Sequence, residues 1–324
     1  MKLLKSFKPL LAGGAMLLAA AGAFAQTATS YPNKPIHIVV PFAAGTTTDQ
    51  AARYIGQRIT EQTSQPVVVE NKAGANGFIA LQYLLQQPAD GYWITIGTNT
   101  THAANSALFK KVPYDPVGDF VPLTGVIIGG VVLVVSTTNP ANNVQELIAL
   151  GKTKRLTFGS GNSSSRAGGE VMRELTGMDL THVPYKALPA AITDVIGGQI
   201  DMVFGDAPAV MPLVRAGKLK ALGVSTRARM PGYEEIPTIA EQGVRGYETN
   251  GWLAAFAPKG TPNDVADKLS KMIADIMRTP EADKYFGTNA WKPIPMTRDE
   301  TAAFQKTEIA RWARLVKNAG IEPE

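Results

Sequence analysis

The clearest hydrophobic pattern of the chain covers residues 36–59 and predicts a strand followed by a helix. Its first part, I-H-I-V-V, is a short β-branched run enclosed by prolines, which favours a buried strand of an α/β sheet. After Gly45 the apolar residues recur at helical spacing as far as Ile59, and Thr48 or Asp49 is expected to cap this helix. The small-residue loop between them leaves helix N-terminal amides open to an anion.

The same pattern occurs a second time from Leu156. The stretch L-T-F-G-S-G-N-S-S-S-R-A-G-G-E-V-M predicts a short strand, a Gly/Ser loop and a helix up to Gly177, with Val171, Met172 and Leu175 as apolar positions. Each loop alone also fits a capped helix that binds nothing. Two such loops together predict two walls of one cleft.

Strands and helices alternate along the rest of the chain, which predicts an α/β protein. The pattern predicts strands at 66–70, 93–97, 182–185, 200–204, 219–225 and 251–258, and helices at 74–86, 143–151, 188–196, 208–214, 262–278 and 298–318. A further helix is expected to begin at Pro237 and Thr238 and to end at Gly243. A polar loop at 98–101 follows a strand, and ligands of open α/β sheets collect at such carboxyl ends, so Thr98 is a candidate contact.

The division into domains follows from a continuous apolar run with paired glycines at 126–135. This run predicts a strand that crosses between two lobes, with a first hinge nearby. About 300 residues after the leader exceed one typical core and suit two lobes. We expect residues 26–125 and 248–324 to form one lobe and residues 126–247 to form the other.

The first 25 residues have the pattern of a secretory signal peptide. Three lysines precede an apolar run that ends in Ala23-Phe24-Ala25, which predicts cleavage after Ala25 and export to the periplasm. The run is too short for a comfortable membrane span, although an uncleaved anchor is the alternative. The sequence has no cysteine, which excludes a lipid-bearing cysteine, disulfides and cysteine-based metal sites.

Charge and motifs exclude several classes of function. The formal net charge is +5, and removal of the leader with its three lysines leaves +2, without any Lys/Arg run, which argues against nucleic-acid binding. The three histidines, His37, His102 and His182, have no metal-ligand spacing, and the glycines match neither dinucleotide nor P-loop motifs. We therefore expect no metal and no cofactor. We interpret His37 as a core or edge residue of its strand, and His182 also lies in a predicted strand.

The serine cluster at 160–165 is a candidate source of a hydrolase nucleophile. G-S-G-N-S-S-S does not place a serine at the G-x-S-x-G spacing of a nucleophile elbow. The amides of 44–47 and 160–164, with neighbouring hydroxyls, are instead donors that suit a carboxylate. Binding is therefore favoured over turnover.

Several motifs in this order resemble the extracytoplasmic solute receptors of tripartite tricarboxylate transporters, the Bug family. They are Y-P-N-K-P-I-H-I-V-V-P-F-A-A-G-T-T-T-D-Q-A-A-R, V-V-V-E-N-K-A-G-A-N-G, D-G-Y-W-I-T-I-G-T, F-G-S-G-N-S-S-S, V-P-Y-K, I-D-M-V-F-G-D-A-P, A-G-K-L-K-A-L-G-V-S-T-R-A-R, I-P-T-I-A-E-Q-G and A-P-K-G-T-P. The resemblance covers nearly the whole chain after the leader.

The resemblance implies a two-lobed α/β periplasmic binding protein of the type II arrangement, with a ligand cleft between the lobes. It implies that the loops at 42–49 and 160–165 hold one ligand carboxylate and that Asp206 meets the other end of the ligand, although Asp206 also fits a helix cap. The expected ligand is a small dicarboxylate or an aromatic acid, delivered by a monomeric receptor to membrane permease subunits. An extracytoplasmic sensor and, as a separate class, a serine hydrolase are the alternatives.

The chain departs from the family pattern at two positions. Thr46 stands where a second glycine is usual, and Arg166 stands where a histidine or an apolar residue is common. Arg166 lies at the start of a helix, where a cation opposes the dipole, so it either pairs with Glu170 or faces the cleft and engages a carboxylate. The complete candidate ligand-binding set is Phe42, Ala44, Gly45, Thr46, Thr47, Asp49, Thr98, Ser160, Asn162, Ser163, Ser164, Ser165, Arg166, Tyr185 and Asp206.

Overall fold

A computed structural model describes residues 31–318 and 320–323 of the chain. The predicted signal peptide and its cleavage after Ala25 lie outside the described residues. Within them, the predicted alternation of strands and helices is confirmed: ten strands, β1 to β10, and ten α-helices, α1 to α10, follow one another in the described part of the chain.

The first elements build one half of the sheet. The apolar run predicted as a strand is β1, where Ile36, Ile38, Val39 and Val40 are fully buried. The elements are β1 (Ile36–Val40), α1 (Thr47–Thr63), β2 (Val67–Asn71), a 3₁₀ turn (Ala75–Gly77), α2 (Phe78–Leu85), β3 (Trp93–Thr98), a π-helical turn (Thr100–Ala104) and α3 (Asn105–Leu108). The predicted polar loop at 98–101 is wrong, because this segment enters the π-helical turn and is buried.

The long strand β4 (Phe120–Ser136) joins the two halves of the sheet. Its first part pairs antiparallel with β9 (Asn250–Pro258) and β10 (Trp291–Pro293), and its second part pairs antiparallel with two strands of the other half. The apolar run at 126–135 therefore crosses between the halves as predicted. All residues of this run except the partly buried Ile128 are buried, which explains why it has no alternating polar face.

The second half of the sheet follows β4. Its elements are α4 (Val144–Thr153), β5 (Leu156–Ser160), α5 (Ser163–Thr176), β6 (Leu180–Pro184), α6 (Leu188–Ile196), β7 (Met202–Asp206), α7 (Ala207–Arg215) and β8 (Leu219–Val224). The helix predicted between Pro237 and Gly243 is wrong. Thr238 and Glu241 exchange capping hydrogen bonds there, but the segment forms turns and an isolated bridge between Thr238 and Val224.

The chain then returns to the first half through β9. It ends with α8 (Asn263–Met277), α9 (Pro280–Gly287), β10 and α10 (Arg298–Asn318). The sequence did not predict α9 or β10, because both are short and lie between two stronger helical patterns.

The strand order is β2-β1-β3-β9-β4-β7-β5-β6, and β8 and β10 pair with β4. Helices cover both faces of each half: residues of α1 and α8 pack on one face of the first half, and residues of α2, α3 and α10 on the other. In the second half α4 and α5 cover one face, and α6 and α7 the other. We call each half of the sheet with its helices a lobe. The lobe boundaries at 125/126 and 247/248 stay a prediction.

Helix α5 contacts both lobes. Met172 packs in the core of the second lobe, whereas Ala167 and the partly buried Val171 belong to the apolar cluster that contains Trp312 of α10. The third predicted apolar position, Leu175, is 43% exposed. The N-terminus of α5 therefore lies where the lobes meet.

Candidate functional site

A cleft of about 560 Å³ lies between the two lobes. One wall comes from the turn before α2 and from α3, and the other from the β5–α5 loop and the end of β6. The cleft is lined by Gly74, Ala75, Asn76, Asn105, Leu108, Phe109, Ser160, Gly161, Asn162, Ser163, Arg166, His182, Pro184, Tyr185 and Lys186. Of the candidate set, Ser160, Asn162, Ser163, Arg166 and Tyr185 meet here.

The β5–α5 loop leads into the N-terminus of α5 on the second lobe, a kind of site that favours an anion. Asn162 caps α5, since its Oδ1 accepts a hydrogen bond from the Ser165 amide at 2.8 Å. The amides of Ser163 and Ser164 are the first two of the helix and have no intrahelical acceptor. Glycine is required at position 161 because the loop passes close to the start of α6: a Cβ on Gly161 would lie 2.0 Å from the backbone nitrogen of Leu188. The predicted donor loop is thus present and faces the cleft.

Two serines of this loop have internal roles. The Ser165 hydroxyl donates to the Gly159 carbonyl at 3.3 Å, and its residue is wholly buried. Ser164 Oγ accepts from Nδ2 of Asn99, which follows β3 in the first lobe, at 3.2 Å. Neither serine lines the cleft, so their predicted contact with ligand stays a prediction.

The β1–α1 loop differs from its prediction in how it is capped. Thr46, rather than Thr48 or Asp49, is the cap, because its Oγ1 accepts from the Asp49 amide at 3.4 Å while Asp49 Oδ2 accepts from the Gly45 amide at 2.9 Å. This differs from a capping box, because the Asp49 carboxylate accepts from the amide of Gly45, the residue before the cap, and not from that of Thr46. The Thr46 amide bonds to the Ala43 carbonyl at 3.4 Å, so two of the predicted donor amides are already used inside the loop.

Asp49 organises that loop. Its carboxylate also accepts from Arg53 Nε and Asn71 Nδ2, both at 3.0 Å. Burial alone would raise the pKa of Asp49, but the hydrogen bonds from Arg53, Gly45 and Asn71 hold that pKa below its ordinary value. None of Phe42, Ala44, Gly45, Thr46, Thr47 and Asp49 lines the cleft in this arrangement.

Ser160 and His182 form a close pair in the cleft. Ser160 Oγ lies 2.6 Å from His182 Nε2. Burial, followed by the nearby charges of Arg166 and Arg173, lowers the pKa of His182 to about 4. A neutral imidazole with so low a pKa is a weak general base. Among the described residues no carboxylate ion-pairs with His182, so a serine-histidine-acid triad is not assembled there.

Sequence reasoning missed His182 because it noted only that this histidine lies in a strand and has no metal-ligand spacing. The signal was its position: β6 runs parallel to β5, with Phe158 opposite His182 and Ser160 opposite Pro184. A polar residue near the carboxyl end of a strand next to the serine loop reaches the same edge of the sheet.

Arg166 pairs with Glu170 and also lines the cleft, while its engagement of a ligand carboxylate stays a prediction. Its Nε lies 4.0 Å from Glu170 Oε1, and Arg173 Nη2 lies 2.8 Å from the other carboxylate oxygen. Burial raises the pKa of Glu170, and the two arginines act in the opposite direction. Arg166 also lines the cleft, with 19% of its side chain exposed. The cation therefore lies between a buried acid and the ligand space.

Asp206 ends β7 but does not cap α7, since its side chain makes no capping hydrogen bond. The cap interpretation is wrong. Burial raises the pKa of Asp206 to about 6, although a hydrogen bond from the Asn162 side chain acts against this rise. Asp206 is half-buried and does not line the cleft, but it supports the Asn162 cap.

Tyr185 and Thr98 have different placements. Tyr185 lines the cleft, and its hydroxyl donates to Asp194 Oδ2 at 2.6 Å. Burial, with help from Asp194, raises the pKa of Tyr185 to about 12. Thr98 is buried, and its Oγ1 accepts from the Thr100 and Thr101 amides at 3.2 and 3.3 Å, which gives it a local structural role.

The first-lobe wall was not predicted. Ala75 and Asn76 have φ of 44° and 51°, between two glycines that also have positive φ. Asn105 is 1% exposed, and its Nδ2 donates to the Asn76 carbonyl at 3.0 Å, which holds this turn. Leu108 and Phe109 add an apolar surface. The A-G-A-N-G motif was the available signal, because paired glycines permit left-handed backbone.

A second concavity of about 630 Å³ lies on the first lobe, between α8 and the segment before α10. It receives residues from one lobe only, and an ion pair of 2.6 Å between Arg298 and Asp267 lies along it. Within residues 31–318 and 320–323, no cluster of acidic and histidine side chains is arranged to hold a metal ion. None of the helices described has both the length and the apolar surface that a bilayer crossing requires.

Comparison with known proteins agrees with this architecture. The model of the tripartite tricarboxylate transporter family receptor matches residues 51–321. Protein BugT of Bordetella pertussis (strain Tohama I) is 32% identical over 324 residues, covering 97% of this chain and 98% of BugT.

Two solved structures are similar throughout. "R. palustris Rpa4515 with adipate" has a TM-score of 0.85 and 33% identity, covering 91% of this chain and 100% of that one. MatC from Rhodopseudomonas palustris with bound malate has a TM-score of 0.78 and 28% identity, covering 88% and 100%. The predicted fold, a two-lobed α/β binding protein with its cleft between the lobes, is confirmed. The chain therefore belongs to the receptor family of the tripartite tricarboxylate transporters.

Proposed function

We propose that this chain captures a small carboxylate between its two lobes and delivers it to the membrane permease subunits of a tripartite tricarboxylate transporter. The observation that carries the proposal is the second-lobe wall, where Ser163, whose amide opens the α5 helix, lines the cleft together with Ser160 and Arg166. All of these groups donate hydrogen bonds. A helix N-terminus with an adjacent guanidinium favours an anion with two oxygens.

The preferred ligand is a dicarboxylate. The α5 amides and Arg166 offer two separate places for negative charge. A dicarboxylate can occupy both, with one carboxylate group at each. Structures of relatives are described with adipate and with malate, which supports this class. An aromatic acid is the second ligand class, because Leu108 and Phe109 provide an apolar surface opposite the donors.

Capture includes closure of the lobes. The cleft takes residues from both lobes, and β4 and β9 are the paired strands that join them. We place the hinge in these crossings, near residues 126 and 248, so that ligand contacts on both walls stabilise a closed form. The receptor acts as a periplasmic monomer after removal of residues 1–25.

A thermal-shift screen tests the proposal. Adipate, malate, succinate and benzoate are compared with matched neutral sugars and amines. A ligand at about 100 times its dissociation constant stabilises the fold by about 2.7 kcal/mol, a melting shift of about 5 to 10 °C for a chain of this size. A shift with carboxylates alone supports the proposal, and the absence of a shift with every carboxylate contradicts it.

A further inference from the structure

The Ser160–His182 pair constrains where protons lie in the cleft. The two side chains extend from neighbouring parallel strands, and both line the cleft. Their contact of 2.6 Å between Oγ and Nε2 is a short hydrogen bond. The Phe158 ring, whose centroid lies 5.0 Å from that of the imidazole, packs against the histidine and restricts its movement.

Only one of the two partners donates across this contact. If the serine donates, its single proton points at the histidine, and only lone pairs of Oγ remain for the cleft. If His182 donates from Nε2, the serine proton is free to point into the cleft. A carboxylate only accepts hydrogen bonds. The arrangement in which His182 donates therefore favours carboxylate binding, whereas the arrangement in which the serine donates to the histidine disfavours it.

We propose that His182 is a positioning residue: as the neutral Nε2–H tautomer it donates to Ser160 Oγ, so that the Ser160 hydroxyl donates to a ligand carboxylate. The ligand in this inference rests on the proposed function. The structure contributes the orientation, because Nε2 rather than Nδ1 faces the serine. The Nε2–H form is also the intrinsically favoured tautomer of neutral histidine.

The surroundings of His182 keep its ring neutral. The charged groups that act on it are Arg166 and Arg173 on α5, and Lys186 lines the same cleft. All three are cationic. Burial and the charges of Arg166 and Arg173 lower the pKa of His182 to about 4, so at neutral pH the ring carries a single N–H.

Long-range ¹H–¹⁵N NMR of the ligand-free mature protein tests the tautomer. The sequence has only three histidines, so three ring spectra are expected, and a His→Gln variant at each position assigns them. For His182 we expect a pyrrole-type Nε2 and a pyridine-type Nδ1. A pyridine-type Nε2, or two protonated nitrogens at neutral pH, overturns the proposal whether or not any carboxylate binds.

A double-mutant cycle tests whether His182 acts through Ser160. His182→Leu removes the donor and is expected to weaken carboxylate binding about tenfold, whereas His182→Gln retains a donor and stays within about threefold of the wild type. In the Ser160→Ala background, His182→Leu is expected to cause no further loss. An equal loss in both backgrounds overturns the positioning role. Failure of every carboxylate to bind the wild type instead contradicts the proposed function, and the NMR result still decides the tautomer.

Discussion

Asn99 and Ser164 join the two lobes by a hydrogen bond of 3.2 Å, from Nδ2 of the first to Oγ of the second. Asn99 follows β3 in the first lobe, and Ser164 lies in the first turn of α5 in the second. Both residues are buried. The bond therefore connects the start of α5 to the opposite lobe.

Asn99→Ala removes this bond and is expected to favour the open form. Loss of one buried hydrogen bond corresponds to about 0.5 to 1.5 kcal/mol, which weakens carboxylate binding about two- to tenfold. Small-angle scattering should show a larger radius of gyration for the ligand-free variant. Ser164→Ala should have the same effect, and the double variant should be no worse than either. A radius unchanged in both would show that this bond does not hold the lobes together.

We expect Arg166 to determine whether the cleft prefers a diacid. Arg166→Ala is expected to weaken binding of the best dicarboxylate by about tenfold or more, because a charge-assisted hydrogen bond is lost. Arg166→Lys is expected to weaken this binding less. Isothermal titration provides both values. Arg173→Ala is the control, since Arg173 also pairs with Glu170 but does not line the cleft. A dissociation constant within about twofold of the wild type in Arg166→Ala would place this residue outside the ligand site.

The Asn162 cap should matter for binding beyond its effect on stability. Asn162→Ala is expected to lower the free energy of unfolding by about 0.5 to 2 kcal/mol and also to weaken carboxylate binding, because the first turn of α5 loses its order. Asn143 caps α4 in the same way, accepting from the Glu146 amide at 2.9 Å.

Asn143→Ala is thus a matched control. It should lower the free energy of unfolding, measured with denaturant, by a similar amount but leave the affinity for carboxylates unchanged. Equal effects of the two substitutions on affinity would contradict a binding role for the α5 N-terminus.

The contribution of Asp206 to the stability of the folded protein should fall as pH rises. Burial raises the pKa of Asp206 to about 6, so between its ordinary value of 3.8 and about 6 the folded protein binds a proton that the unfolded chain has lost. Stability from this group is therefore fully present below pH 3.8 and is lost as pH rises through 6. Asp206→Asn removes this loss and should raise the melting temperature more at pH 7.5 than at pH 4.

The comparison must be made between variant and wild type at each pH. The pKa of His182 is lowered to about 4, which gives the opposite slope over a similar range, since the unfolded chain then binds the additional proton. An Asp206→Asn effect that does not change between the two pH values would contradict the raised pKa.

The sequence alone determined the elements with strong periodicity. The bounds of β1, α6 and α10 agree with the predicted 36–40, 188–196 and 298–318. In these segments local preference and burial select the same conformation, so the hydrophobic period is sufficient. The family motifs also predicted the architecture, since their order along the chain depends on no tertiary contact.

The site depended on tertiary structure, because residues distant in sequence had to be brought together. Ser160 was predicted from its loop, but its partner His182 became visible only when β6 was paired with β5. The role of Asp49 was likewise decided by the fold. The sequence pattern predicted that Asp49 contacts a ligand, but its carboxylate accepts hydrogen bonds from Arg53 and from Asn71 of the neighbouring strand.

The first-lobe wall shows the same limit. Nothing in the periodicity relates Asn105 to Asn76, yet the hydrogen bond between them holds a left-handed turn against the cleft. A hydrophobic pattern records which side of an element is buried. It does not record which polar side chains meet across the space between elements, because that is decided by strand order and by how the two lobes pack.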